Sequence, residues 1–319
     1  MNRKLALAIP AYNRPAVLRS NLEQMLPELR ETGVQVFISD DSTNSQTCEM
    51  VAQFAEQWPH THYVRNQPSL GHDRNCLRTL SLPDTDYVWY LSDATRIYPG
   101  GIRRILTAID SETPDFLAVN AKHRTSIDLP SGKYDDPNAV IEFLGWHLTL
   151  TGATIYHRRH LEDMQVRYEH FVGTNFIQLG VLLQSLPTAK GGFLWFNEQL
   201  IEAHRDKGDS YWKKTALKVF MKDWADFIMN LPDAYPLATK RRAVRLHSRK
   251  TGVLEWRELK RLHAQGLLTY DDFKRYRGYW RLVTGVPDWL VAALSNWPIL
   301  RTSPVANERR RDDSGSAVG

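Results

Sequence analysis

The stretch that most constrains this chain is Leu5-Ala6-Leu7-Ala8-Ile9-Pro10-Ala11-Tyr12-Asn13-Arg14-Pro15. An apolar run of strand length stops at a proline. The spacing of Val17, Leu18, Leu22, Met25, Leu26 and Leu29 then predicts an amphipathic helix. A strand that is apolar on both faces needs cover on both, which is how a parallel α/β sheet begins. The connecting loop lies at the carboxyl end of the strand, where open α/β sheets bind ligands. Tyr12 offers an aromatic face, Asn13 an amide and Arg14 a cation, a set suited to a nucleotide.

Three more strand-plus-helix units come next. Val34–Ser39 reads as a buried strand ending in Asp40-Asp41-Ser42-Thr43-Asn44-Ser45, with a helix over residues 46–57. Capping of that helix accounts for the hydroxyls but not for two consecutive acids, which suit a ribose or base. His62–Arg65 is a short third strand, followed by Asn66 through Asn75. Gly71 permits a tight turn there, and Arg74 and Asn75 fall in the first turn of a helix, good equipment for a diphosphate or ribose. The fourth strand, Asp86–Leu91, runs into Ser92-Asp93-Ala94-Thr95, and a helix opens after Pro99-Gly100-Gly101. A carboxylate at the Asp93 position can hold a divalent cation bridging phosphates, or simply cap the next turn.

The succession Ile9–Arg14, Ile38–Ser42, Asn66…Gly71…Arg74-Asn75 and Val88–Asp93 resembles the GT-A glycosyltransferases of family 2. Among these it is most similar to bacterial transferases that build O-antigen and capsular repeats, of the abequosyltransferase type. The resemblance covers residues 4–110 well and 111–215 loosely. It implies a GT-A, Rossmann-like fold: a mixed, mainly parallel sheet with helices on both faces, plus a helical C-terminal region. The expected division is a GT-A domain over 1–215 (nucleotide-sugar half 1–110, acceptor half 111–215), a basic helical region over 216–304 and a disordered tail over 305–319.

The resemblance also implies roles. Pro10, Ala11, Tyr12 and Arg14 would line the nucleotide pocket, with Ser92 beside it. Asp41 or Asp40 would bind base or ribose, and Arg74 and Asn75 would face the ribose and diphosphate. Asp93 would be the first acid of an Asp-x-Asp metal motif for Mg²⁺ or Mn²⁺. Here that motif reads Asp93-Ala94-Thr95, so its last carboxylate is a hydroxyl, and cation binding through Thr95 and water is weakened or lost.

In the acceptor half, Phe116–Asn120 reads as a strand and Lys122–Asn138 as a functional loop. Residues 145–156 read as loop then strand, with Gly152 letting a sugar approach the backbone. Where the family often has Gly-Glu-Asp, whose Asp is the general base, this chain has Gly173-Thr174-Asn175. Asn175 can bind an acceptor but cannot take its proton. The base must then be another carboxylate or imidazole, with Glu169, His170 and His204 as candidates. Phe193–Glu198 is a further strand. By the same resemblance His204 is the expected late metal or diphosphate ligand, and Arg205, with Lys207 and Gly208, would close over the leaving diphosphate.

Residues 212–231 carry one helical stripe of Leu217, Phe220, Trp224, Phe227, Ile228 and Leu231, and residues 237–283 hold two or three basic amphipathic helices. The segment Val286–Leu300 is apolar and flanked by Trp289 and Trp297, as interfacial helices often are. Charge divides unevenly: residues 240–311 carry 17 lysines and arginines against 6 acids, in a 319-residue chain with net charge +5. Such an end suits an acidic partner, either anionic lipid or nucleic acid, and with no nucleic-acid recognition motif beside it the anionic membrane surface is expected and the nucleic-acid binder ranks last. Two cysteines make no disulfide framework, and no run of about 18 apolar residues is present.

Together these expectations describe an enzyme moving a sugar from a nucleotide-sugar donor to a lipid-linked saccharide. Inversion is implied, and the place is the cytoplasmic face of the membrane. The rival is a catalytically silent GT-A scaffold that binds a sugar or a partner enzyme, since both the second metal acid and the usual base are absent.

Overall fold

The computed structural model describes residues 2–122, 127, 129–204 and 211–298. Arg205 and the expected tail fall outside the described residues.

Nine strands form one mixed sheet: β1 Leu5–Ala11, β2 Gln35–Asp40, β3 Thr61–Arg65, β4 Tyr87–Tyr90, β5 Thr95–Ile97, β6 Phe116–Ala121, β7 Gly132–Tyr134, β8 Thr154–His157 and β9 Phe193–Ala203. Their order is β3-β2-β1-β4-β8-β6-β9-β5, with β7 paired to β9. The first four are mutually parallel; β8 runs against β4 and β6, and β6 and β9 are parallel. β1, β2 and β4 are buried throughout apart from partly exposed Pro10, as their apolar character requires.

Helices α1 Pro15–Thr32, α2 Gln46–Gln57, α3 His72–Ser81 and α4 Gly101–Glu112 connect the early strands. α1 starts with Pro15 in its first turn and ends at Gly33, whose φ of 68° is the left-handed conformation that a helix stop favours. It buries Leu18, Leu22, Met25, Leu26 and Leu29 of the predicted stripe and leaves Val17 partly exposed.

The acceptor half differs from expectation in two places. Residues 145–148 are not loop but the end of helix α5, Pro137–Leu148, which buries Val140, Ile141, Leu144 and Trp146. Asp136 caps it, accepting from the Asn138 N–H at 2.9 Å. The segment expected as one long loop holds β7 and the start of α5. Helices α6 Met164–Arg167 and α7 Ile177–Ser185 come after it.

The C-terminal region is helical: a π-helical turn Leu217–Asp223, then α8 Trp224–Met229, α9 Leu237–Thr251, α10 Trp256–Ala264, α11 Tyr270–Arg275, α12 Trp280–Val283 and α13 Asp288–Asn296. The Phe220, Trp224 and Phe227 rings pack with Phe176 and Phe171, so this region shares its core with the sheet domain. Among the described residues no helix is long and apolar enough to cross a membrane.

Candidate active site

β1 has β2 on one side and β4 on the other, so the chain reverses its direction of winding at β1. Loops leaving the carboxyl ends of neighbouring strands splay apart at such a point and leave a crevice. Tyr12 and Arg14 leave β1 there and Asp93 follows β4, so residues 79 apart in sequence meet. Arg14 donates from Nη2 to Asp93 Oδ1 at 2.5 Å and from Nε to Oδ2 at 3.1 Å, a fork-on-fork pair. The Tyr12 N–H points at the same carboxylate (3.4 Å), and Asn21 Nδ2 holds the Asp93 carbonyl at 2.8 Å. Asp93 is 2% exposed, whereas the Tyr12 ring beside it is 52% exposed and available for stacking. Burial pushes the Asp93 carboxyl up to about 6, against the opposing pull of the Arg14 guanidinium.

Asp41 organises the opposite wall. Its carboxylate accepts from the N–H groups of Leu70 (2.7 Å) and Gly71 (2.8 Å), from Ser69 Oγ (2.7 Å) and from Asn66 Nδ2 (3.1 Å). Those four donors occupy both oxygens, so Asp41 moulds the 66–71 loop rather than presenting a bare carboxylate. Asp40 is fully buried, accepting from the Tyr63 hydroxyl (2.7 Å) and the Ser42 N–H (2.9 Å). Asn75, expected at the ribose, is turned inward instead: its amide bonds Asn66 (3.0 Å) and the Ser39 carbonyl (3.3 Å). Asn13, at φ 52°, ties the β1 loop to the β2 loop through Ser42 Oγ and the Thr43 N–H. Pro10 and Ala11 end β1, and the Ala11 carbonyl accepts the Asp41 N–H (2.9 Å).

Gly152 does not offer its backbone to a sugar. It is buried, and a Cβ there would lie 2.8 Å from Thr95 Cγ2, so Thr95 fills the room that the missing side chain leaves. The Thr95 hydroxyl donates to the Thr151 carbonyl at 3.0 Å. Ser92 shapes the turn around Asp93, its Oγ accepting the Ala94 N–H at 3.0 Å. His204 is buried beside this turn: its N–H donates to the Ala94 carbonyl (2.8 Å), and its Nε2 lies 3.2 Å from Ser20 Oγ.

Among the described residues no group of three or more His, Cys, Asp or Glu side chains converges as a metal cage. Among the described residues Asp93 is the single carboxylate at the expected place and already faces a guanidinium, so those side chains do not make a cation site on their own.

The three base candidates are dispersed. Glu169 is half-exposed and holds Arg74 in a two-bond ion pair (2.5 and 3.1 Å); His170 is exposed against Phe171; His204 lies at the Asp93 turn. The acid that stands at Asn175 is another one. Asp223 accepts from Asn175 Nδ2 at 2.8 Å and from Lys218 Nζ at 2.7 Å. The sequence held a signal for it, an acid between Phe220 and Trp224 on the apolar face of a helical stripe.

The crevice lies at the switch point, where open α/β sheets bind ligands, with the charged groups Arg14 and Asp93 at its edge. The model of glycosyl transferase family 2 matches residues 6–192, more than half of the chain, and the chain belongs to that family. Protein CgeD of Bacillus subtilis is 24% identical over 179 residues, which are 51% of this chain and 40% of CgeD, so the match spans less than half of that relative. Abequosyltransferase RfbV of Salmonella typhimurium is 22% identical over 259 residues, 72% of this chain and 75% of RfbV. Among solved structures, Staphylococcus aureus TarS with UDP-GlcNAc superposes with a TM-score of 0.57 at 16% identity, covering 86% of this chain and 83% of that one. The Pyrobaculum calidifontis mannosyltransferase PcManGT with GDP-Man and Mn²⁺ gives 0.53 at 14% identity, covering 93% and 87%. These likenesses establish the GT-A fold.

Proposed function

We propose that the chain transfers a sugar from a nucleotide-sugar donor to a lipid-linked saccharide with inversion at the anomeric carbon. The observation that carries this reading is the Arg14–Asp93 pair at the β1/β4 switch point, flanked by the exposed Tyr12 ring and the loop that Asp41 holds. In it, Tyr12 stacks on the base, the 66–71 loop packs along the ribose, and Arg14 meets the diphosphate. Negative charge grows on the phosphate oxygen as the sugar leaves, and a fixed guanidinium in a partly dry crevice stabilises that charge. A divalent ion, when carried in by the nucleotide, would add positive charge beside Asp93, as its presence with GDP-Man in the mannosyltransferase suggests. In this reading the sheet domain over residues 1–215 binds the donor, and the first turns of the basic region 216–304, whose Phe220, Trp224 and Phe227 share its core, belong to the same catalytic unit.

A lipid-linked acceptor and a peripheral place on the inner membrane face are favoured by the C-terminal region. Trp289 and Trp297, 69% and 68% exposed, stand out from a helix in the most basic part of the chain.

The test is a thermal-shift panel of UDP-, GDP-, CDP- and dTDP-sugars with and without Mn²⁺, followed by assay of nucleoside diphosphate release. A donor at about 100 times its Kd should contribute roughly 2.7 kcal/mol of stability, visible as a clear rise in Tm. A silent scaffold would bind a nucleotide and release nothing.

A further inference from the structure

We propose that Asp223 takes the proton from the attacking acceptor hydroxyl, an inference that rests on the inverting transfer proposed above. The step balances as one displacement. The acceptor O–H bond breaks with its proton going to Asp223, the oxygen bonds to the anomeric carbon, and the bond from that carbon to the phosphate oxygen breaks. Its electron pair leaves with the nucleoside diphosphate.

Four observations carry the assignment. First, the Asn175 amide, which cannot itself take a proton, grips Asp223. Second, the Asn175 turn is fixed to the donor side of the crevice. Asp73, in the first turn of α3, accepts the N–H groups of Gly173 (2.7 Å) and Asn175 (3.1 Å), and α3 begins directly after the loop that Asp41 holds. Third, both donors to Asp223 reach the same oxygen, Oδ2, so that oxygen is held while Oδ1 has no hydrogen-bond partner among the described residues. A carboxylate with one oxygen anchored and the other open has the form of a positioned base. Fourth, Asp223 ends the π-helical turn Leu217–Asp223. A π turn inserts a residue into the helical stagger and re-aims the side chains beyond it, a distortion met most often at functional sites.

The electrostatics agree. Burial raises the Asp223 carboxyl above the ordinary carboxylate range, and Lys218, Asn175 and Lys222 pull it back. Lys218 and Lys222 act on it from its own turn and Asn175 from the sheet domain, and the Asp223 charge in turn raises the Tyr279 hydroxyl among the C-terminal helices.

The test is Asp223→Asn in the full chain, which keeps an acceptor for Asn175 and Lys218 but removes the basic oxygen. Release of nucleoside diphosphate is measured across the same sugar-nucleotide panel, with a glycolipid extract and with water alone as acceptor. The expected result is a kcat lower by on the order of 100-fold, unchanged KM for the donor, and loss of the acid limb of the pH profile. Lys218→Met leaves Asp223 in place and should move that limb to higher pH; it reads the same group should Asp223→Asn fail to fold. Turnover of Asp223→Asn within threefold of wild type, or an acid limb that neither variant moves, overturns the assignment. A wild-type chain that releases no nucleoside diphosphate from any donor overturns the transfer reading itself.

Discussion

Arg14 and Asp93 face each other as a fork on a fork at the carboxyl ends of β1 and β4, with the acid buried and the guanidinium partly in solvent. Burial holds the Asp93 carboxyl at about 6, above the value near 3.9 of an unfolded aspartate. The folded chain therefore binds more protons than the unfolded chain between those values. This group's contribution to stability is full below about pH 4, declines as pH rises toward 6, and is flat above. A shift of this size corresponds to about 3 kcal/mol. Asp93→Asn should then unfold at higher denaturant than wild type at pH 7.5 and lose the difference at pH 4, while its turnover falls on the order of 100-fold. Urea titrations at the two pH values, paired with a diphosphate-release assay, check both halves.

Mn²⁺ alone should do little. With one carboxylate at the site among the described residues, and that one engaged by Arg14, the ion gains few protein ligands and must compete with a guanidinium. We expect no change in Tm at millimolar Mn²⁺ without nucleotide. Arg14→Met removes the competitor, and a Mn²⁺-dependent rise in Tm should then emerge. A clear rise in the wild type would show a cation site that these side chains do not form.

Asp41 is expected to act on donor binding through the loop it holds. Asp41→Asn places an amide against donors that it cannot all accept, leaving at least one of the Leu70 and Gly71 N–H groups without its partner. These groups are only part-buried, so the loss costs less than the about 1–3 kcal/mol of an unsatisfied buried donor. The variant should therefore show a lowered Tm and a raised KM for the sugar nucleotide, with kcat less affected. A kcat loss at unchanged KM would point to a direct chemical role instead.

The parts of this molecule that could be read from sequence are those in which neighbours along the chain are neighbours in space. β1, α1 and the three units after them emerge from apolar runs, helical spacing and a stop at Gly33, and the topology then brings Arg14 and Asp93 together. What could not be read depends on contacts with no local trace. The 145–148 segment holds Gly145 and is followed by Thr149, which suggest a loop, yet the core contacts of Val140, Ile141 and Leu144 carry the helix through it. Gly152 is small because Thr95, from a distant part of the chain, packs against it. Asn75 has the chemistry of a ligand group, but Asn66 and Ser39 draw it inside. Asp223 left one trace, an acid on the apolar stripe, but its pairing with Asn175, 48 residues away, and the π geometry of its turn left none.

Glu169 gives a further discriminating variant. Its pair with Arg74 is nearly half exposed on both sides, and exposed pairs contribute about 0–1 kcal/mol. Glu169→Gln should lower Tm little and leave kcat within threefold of wild type, while any effect on donor KM reports the release of Arg74. A loss of on the order of 100-fold in kcat, with the acid limb of the pH profile abolished, would make Glu169 the base and remove Asp223 from that role.

The C-terminal region offers the last test. Trp289 on α13 and Trp297 just past its end are both exposed. α9 carries Arg241, Arg242, Arg245, Arg249 and Lys250 within the same region, and Arg245 and Arg249 line a cleft of about 520 Å³ with Trp256 and Leu290. Each basic residue near an anionic surface adds about 1 kcal/mol, and the indoles add apolar burial and seat at the headgroup level. On the proposed membrane reading, the wild type should sediment with vesicles containing phosphatidylglycerol but not with neutral ones, and about 0.5 M salt should release it, since the Debye length then shrinks to a few ångströms. Trp289→Ser with Trp297→Ser removes the apolar part while keeping every charge. It should weaken binding by about tenfold or more per residue, given roughly 1.5–3 kcal/mol for full burial of a large apolar side chain. Equal binding of the double variant would leave only charge as the attraction, and equal binding of wild type to neutral vesicles would remove the basic surface from the account.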